Sequence, residues 1–138
     1  MSELILVVTH LSDREQAQRA ARRMIRTHLA SSAQIAPTEK IYHWHGQWYE
    51  VQKWVLMLMT TKARYRALEA ALRALHADEG EPPPIFALPC STALPLYADW
   101  VSSKVLESES TGGVRPSQTV NFPESQLSVP PESVPPGE

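Results

Sequence analysis

The sequence predicts an α+β domain whose elements follow the order β-α-β-β-α-β, with one more helix at the end. Three observations predict this class. A β-branched apolar run opens the chain, a glycine separates two long alternating segments, and amphipathic helical segments follow the first and third strands. This split β-α-β arrangement is ferredoxin-like and favours one antiparallel sheet with two helices on one face.

The first strand and the first helix lie at the start of the chain. Residues 4–9, Leu-Ile-Leu-Val-Val-Thr, form an apolar run of the length of a strand buried on both faces. Ser12 and Asp13 are suitable caps, and small or apolar residues then recur at helical spacing, which predicts a helix from about Asp13 to about Leu29. Its outer face carries five arginines, Arg14, Arg19, Arg22, Arg23 and Arg26. We interpret these arginines as a solvated surface.

A long hairpin is predicted next. Pro37 is expected to interrupt the chain, so the first arm covers residues 40–45 and the second covers residues 47–60, around a turn at Gly46. Odd-numbered and even-numbered residues of the second arm are predicted to lie on opposite faces.

Three further elements and a tail complete the prediction. Apolar spacing predicts a helix at residues 62–76, a short buried strand at residues 85–88, and a last helix at residues 95–105 that begins with a proline. The folded domain is therefore placed at residues 1–105. Residues 106–138 hold six of the 12 prolines and many serines, a composition that predicts a flexible tail.

Composition excludes several classes of function. The formal net charge of −2 gives no basic surface for nucleic acid or for an anionic membrane, and the longest apolar run, residues 54–59, is too short to span a bilayer. The single cysteine, Cys90, cannot form an intramolecular disulfide, and the first residues do not resemble a signal peptide. We expect a cytoplasmic protein without nucleic-acid or membrane partners.

Catalytic motifs are missing from the sequence. It contains no G-x-S-x-G, no Walker-type glycine loop, no G-x-G-x-x-G after the first strand and no H-E-x-x-H. An enzyme is therefore disfavoured, and no organic cofactor is predicted.

The hairpin carries more aromatic surface than one subunit of this size can cover, because two helices protect only one face of the sheet. A self-associating sheet is predicted to cover the rest. The predicted self-association surface comprises Tyr42, Trp44, Trp48, Trp54 and, on the last helix, Trp100.

Two groups of residues are candidate ligands for Cu(II) or another divalent cation. His43 and His45 are two apart on a predicted strand, so both imidazoles would point to one face and need a third ligand from Glu50 or from another subunit. Without it they are two surface histidines beside a turn. His76 and Glu79 belong to the second group, at the end of the second helix, where an imidazolium is also favourable simply because of the helix dipole.

Six short segments together resemble the divalent-cation-tolerance (CutA) family. They are LASSAQIAP at residues 29–37, IYHWHG at 41–46, LMLMTT at 56–61, His76 with Glu79, PIFALP at 84–89 and YADWV at 97–101. They extend over about residues 4–103 in the family's order and nearly at its spacing. The resemblance implies a ferredoxin-like trimer whose long strands pair across subunits, as in PII signalling proteins, and a link to copper and other divalent metals.

The chain departs from the family pattern at three places. Ser32 replaces a frequent cysteine, Gln34 replaces an asparagine, and the loop after His76 is altered and about two residues longer. Our first hypothesis is a trimeric metal-binding protein for copper tolerance. The alternatives are a PII-like signalling or scaffold trimer that binds a small molecule or a partner protein in its intersubunit clefts, and an enzyme of small-molecule metabolism.

Overall fold

The computed structural model describes residues 3–76 and 82–106. Its strands and helices are β1 (Leu4–Leu11), α1 (Arg14–Arg26), β2 (Ser32–Trp44), β3 (Gln47–Thr61), a 3-10 helix (Lys62–Arg64), α2 (Tyr65–Leu75), β4 (Phe86–Pro89) and α3 (Pro95–Lys104). The order confirms the predicted α+β class and the extra C-terminal helix. Residues 107–138, where the flexible tail is predicted, lie outside the described residues.

The four strands form one antiparallel sheet in the order β2-β3-β1-β4. β1 lies in the middle, where Val7 pairs with Leu58 of β3 on one side and with Ala87 of β4 on the other. This strand order is that of the ferredoxin-like fold. β2 and β4 are the edge strands.

The hydrophobic core lies between the sheet and the helices α1 and α2. Val7, Leu56 and Leu58 on the sheet are fully buried against a cluster that includes Met24 and Leu68 on the helices. From Trp54 onward the even-numbered residues of β3 face this core, and the odd-numbered residues face the other side. This alternation confirms the prediction made from the period of two.

Helix α1 begins as predicted but ends three residues early. The Asp13 carboxylate accepts a hydrogen bond of 2.8 Å from the Gln16 amide, which caps the first turn. At the other end the Leu29 amide donates to the Met24 carbonyl and the His28 amide donates to the Ile25 carbonyl, the two bonds of a Schellman motif. His28 occupies the left-handed position, with φ 62°, where glycine is usual. The expected end at Leu29 was wrong because the Schellman motif that ends α1 has His28 at the position where a glycine would have marked the end in the sequence.

Strand β2 is much longer than predicted. It starts at Ser32 and passes through Pro37, which pairs with Trp54 of β3. The expectation that proline interrupts this segment was wrong because β2 is an edge strand. An edge strand loses no ladder hydrogen bond when the missing N–H faces away from its neighbour.

The C-terminal elements lie close to their predicted positions, but the expectation that β4 is buried was wrong: it is an edge strand whose Phe86 and Leu88 are 45% and 49% exposed. β4 is displaced by one residue and includes Pro89, and α3 begins at Pro95 as expected. Within α3, Val101 is fully buried whereas Leu96 is exposed. Within the described part of the chain, no helix has the length and apolar character needed to cross a membrane.

Candidate functional site

The tip of the β2–β3 hairpin is a two-residue turn formed by His45 and Gly46. Their φ angles are 51° and 77°, and positive values at both central positions are typical of a type I′ turn. β2 ends at Trp44, so His45 lies in the turn and not on the strand with His43. The premise that strand alternation points both imidazoles to one face was therefore wrong.

Each histidine at the tip contacts a different tryptophan. The His43 ring lies edge-on to Trp48 with centroids 4.9 Å apart, and the His45 ring lies edge-on to Trp44 at 4.8 Å. All four side chains are exposed. The pairing of His43 with Trp48 places the side chain of Glu50, two residues along β3, on the same face as His43.

One subunit does not assemble a complete metal site at this tip. Across residues 3–76 and 82–106, no three His, Cys, Asp or Glu side chains are grouped so that they could hold a metal ion. Structural zinc sites use four ligands and catalytic ones three, so a histidine pair is about half of a site.

The predicted self-association surface is partly free and partly covered within the subunit. Trp48 and Trp44 are 72% and 41% exposed, and Tyr42 stacks on Tyr49 with centroids 5.0 Å apart. Trp54 packs against the core.

Two members of this surface, Trp54 and Trp100, have cationic or aromatic partners within the subunit. The Arg14 guanidinium lies 5.9 Å from the centre of the Trp54 ring, so Trp54 has partners inside its own subunit. On α3, Trp100 is 43% exposed, with the Lys104 ammonium 5.7 Å from its ring centre and Tyr97 stacked at 6.0 Å. Trp100 therefore resembles the free hairpin aromatics and Trp54 does not.

His76 caps the C-terminal end of α2, as predicted, but it is also buried. Its side chain is 3% exposed, and Nε2 lies 3.0 Å from the Thr9 hydroxyl on β1. Glu79, its predicted co-ligand, lies outside the described residues. The structure thus gives His76 a packing role and a hydrogen-bond partner in the core.

His10 is a polar residue that the sequence prediction missed. It lies on β1 beside Val55, on the face of the sheet opposite α1 and α2, and its Nδ1 is buried with no hydrogen-bond partner in the described part of the chain. Burial lowers the pKa of His10, and the positive charges of Lys40 and Lys53 and the nearby His76 lower it further. The imidazole is consequently held in its neutral form.

The only available signal for His10 was its place in β1. The predicted strand stopped at Thr9, whereas the observed strand continues to Leu11. Strand alternation extended by two residues would have placed His10 on the sheet with Leu6 and Val8.

Comparisons with a family model and with a curated relative match the same family. Residues 5–104 match the family model described as CutA1 divalent ion tolerance protein. The Divalent-cation tolerance protein CutA of Thermus thermophilus is 30% identical over 102 residues, which are 73% of this chain and 95% of that protein.

Solved structures of similar proteins share the fold. A divalent cation tolerance protein (Cut A1) from Thermus thermophilus aligns with a TM-score of 0.68 and 28% identity over 74% of this chain and 98% of that one. A structure described as the periplasmic divalent cation tolerance protein CutA from Archaeoglobus fulgidus aligns with a TM-score of 0.70 and 21% identity, over 75% and 99% of the two chains.

Proposed function

Because the chain belongs to the CutA1 divalent ion tolerance family, we propose that it is a homotrimer that binds a divalent cation, such as Cu(II), and acts in tolerance to such cations. The names of its relatives support a role in tolerance. In this proposal the protein is cytoplasmic, binds no organic cofactor and is not an enzyme.

The observation that supports metal binding is the pair of exposed imidazoles at the hairpin tip. His43 and His45 lie on and beside a two-stranded ribbon, since residues 47–53 of β3 pair with β2 and β1 pairs only from Trp54 onward. Neutral imidazole nitrogen suits Cu(II) and Zn(II). Glu50, or a group from a second subunit, would supply the missing ligand.

Trimer formation is supported by the exposed aromatic rings of the same ribbon. Trp44 and Trp48 lie on opposite faces, because Trp44 pairs with Gln47 and Trp48 pairs with His43. Both faces of the ribbon therefore expose a tryptophan ring, and exposed apolar surface of this size supports an interaction site. In a closed trimer, three copies would cover these aromatic rings and could bring together the histidine pairs of different subunits.

Calorimetric titration with Cu(II) tests the metal proposal. The double variant His43→Gln/His45→Asn removes both imidazoles, and asparagine suits the positive φ of the turn. We expect saturable binding by the parent and at least a tenfold weaker binding by the double variant. The matched control is His28→Asn, which removes another histidine of positive φ, 62°, away from the hairpin, and should bind as the parent does.

Three results would contradict the proposal. The parent could show no saturable binding, or the double variant could bind as tightly as the parent. A loss of binding in His76→Gln alone would move the site to the end of α2. A native mass spectrum of a trimer with an organic adduct and no metal would instead favour a small-molecule-binding trimer.

A further inference from the structure

A groove of about 690 Å³ runs along the outer side of α1 near the end of α2. Four of its lining residues are arginines, Arg19, Arg22, Arg23 and Arg26. We call these four residues and the space between them the arginine groove. It is remote from the hairpin tip in sequence and in fold, and the proposed metal function does not use it.

Among the residues that the structure describes, none places a negative charge against the arginine groove. None of the four guanidinium groups makes an ion pair or a hydrogen bond within residues 3–76 and 82–106. Helix α1 contains a single carboxylate, Glu15, in its first turn, and the Asp13 carboxylate before it already accepts the capping bond from Gln16. Within the described part of the chain, positive charge is therefore locally in excess at this groove, although the formal net charge of the whole chain is −2.

The spacing of the arginines works against the helix. Residues 19, 22, 23 and 26 are three or four apart, so their side chains are neighbours on one face, and like charges at this spacing destabilise a helix. The negative end of the helix dipole offsets this for Arg23 and Arg26, which lie in the last turn. The helix dipole does not offset the repulsion at Arg19 and Arg22, which lie before the last turn. Interpreting the arginines as a solvated surface therefore accounts for Arg23 and Arg26 but not for Arg19 and Arg22.

The floor of the groove is apolar. Leu11 and Ala20, which are both buried, and Leu75, which is 39% exposed, line it beside the arginines. The volume is that of a small-molecule site, for which about 300–1,000 Å³ is usual. The planar guanidinium donates paired hydrogen bonds that fit the oxygens of phosphate, and several such groups in one concave place favour a ligand with more than one phosphate.

We propose that the arginine groove binds a compact anion that carries two or more phosphate groups. The ligand's charge relieves the repulsion among the four arginines, and the apolar floor excludes water from one side of the contact. This binding is independent of the trimer and of any metal bound at the hairpin.

Calorimetry with pyrophosphate and tripolyphosphate, in buffer free of divalent metal, tests the proposal on the full chain. We expect saturable binding by the parent that weakens as salt is added. Arg19→Gln/Arg22→Gln should weaken it at least tenfold. The matched control, Arg14→Gln/Arg73→Gln, removes the same amount of charge, one arginine from α1 and one from α2, at positions outside the groove and should stay within twofold of the parent.

A thermal scan separates loss of binding from loss of folding. Without ligand, Arg19→Gln/Arg22→Gln should melt at or above the parent's temperature, because a repulsion is removed, while the upward shift caused by pyrophosphate should disappear. The proposal is overturned if the parent does not bind either probe, or if the groove and control variants bind equally. Tighter binding of citrate than of pyrophosphate would overturn the assignment to phosphate.

Discussion

Thr9 and Thr60 are both fully buried on the helix-covered face of the sheet, but their hydroxyl groups are in different situations. The Thr9 hydroxyl lies 3.0 Å from Nε2 of His76, whereas the Thr60 Oγ1 has no hydrogen-bond partner within residues 3–76 and 82–106. A buried polar atom without a partner reduces stability, and a satisfied one contributes to it. The same substitution should therefore act in opposite directions at the two positions.

We expect Thr9→Val to lower the free energy of unfolding by about 1–2 kcal/mol, because a buried hydrogen bond to His76 is lost. Thr60→Val should leave it unchanged or raise it, because valine fills the same space without a hydroxyl. Urea denaturation at one fixed protein concentration measures both, since self-association would make stability concentration-dependent. Equal losses in the two variants would show that the Thr9–His76 bond contributes nothing.

The sequence predicts the position of some single residues but not their long-range contacts. His76 follows a helical stripe, so its place at the end of α2 could be predicted from local spacing. Its contact with Thr9 could not, because the two residues are 67 positions apart and meet only when α2 packs on the sheet. His43 and His45 were grouped on local spacing too, but the first arm of the hairpin ends one residue earlier than assumed, at Trp44, and His45 belongs to the turn, which removed the basis for that grouping.

At the scale of single elements, the β2–β3 hairpin depends on its turn. Gly46 has φ 77°, and a Cβ built on it would meet no atom within 4 Å. Space is therefore available there, and only the left-handed backbone conformation requires glycine.

We predict that Gly46→Ala lowers the free energy of unfolding by about 1 kcal/mol, the approximate cost of a left-handed conformation for an L-residue with a Cβ. His45→Asn should be neutral or slightly stabilising, since asparagine accepts positive φ better than histidine and favours this turn. Urea denaturation of the two variants beside the parent checks the difference. A Gly46→Ala protein as stable as the parent would argue against a tight two-residue turn.

Helices and strands whose side chains follow a regular period could be predicted from the sequence. The end of α1 and the length of β2 could not, because the residues that usually mark such boundaries are missing or act differently here. The alternation of β3 follows from strand geometry, which places successive side chains on opposite faces of the sheet. The end of α1 was missed because His28 stands where a Schellman motif usually has glycine. The length of β2 was missed because the effect of Pro37 depends on whether its strand is central or at an edge, which only the complete sheet decides.

At the scale of the whole molecule, the exposed aromatic residues of the hairpin lead to a prediction about assembly. We expect the parent to sediment at low micromolar concentration with about three times its chain mass of 15.4 kDa. Trp44→Ser/Trp48→Ser should shift the protein toward the monomer, because it removes the two most exposed rings of the ribbon tip. Analytical ultracentrifugation measures the masses.

The control for this prediction is Ile25→Ser, which removes an exposed apolar side chain from α1 and should leave the assembly intact. A parent protein that sediments as a single chain would contradict the trimer. A trimer that persists unchanged in the double tryptophan variant would place the contact elsewhere, for example at Trp100 on α3.

The proline in the edge strand β2 also bears on how copies of this chain can add to one another. An open sheet edge is a template for uncontrolled strand addition and fibre growth. In this sheet, Pro37 removes one donor near the middle of β2, and β4 at the opposite edge is only four residues long and finishes with Pro89. Both edges of the sheet therefore resist the addition of further strands, which disfavours aggregation by edge-to-edge pairing. A closed assembly through the protruding part of the β2–β3 hairpin is not affected by these prolines.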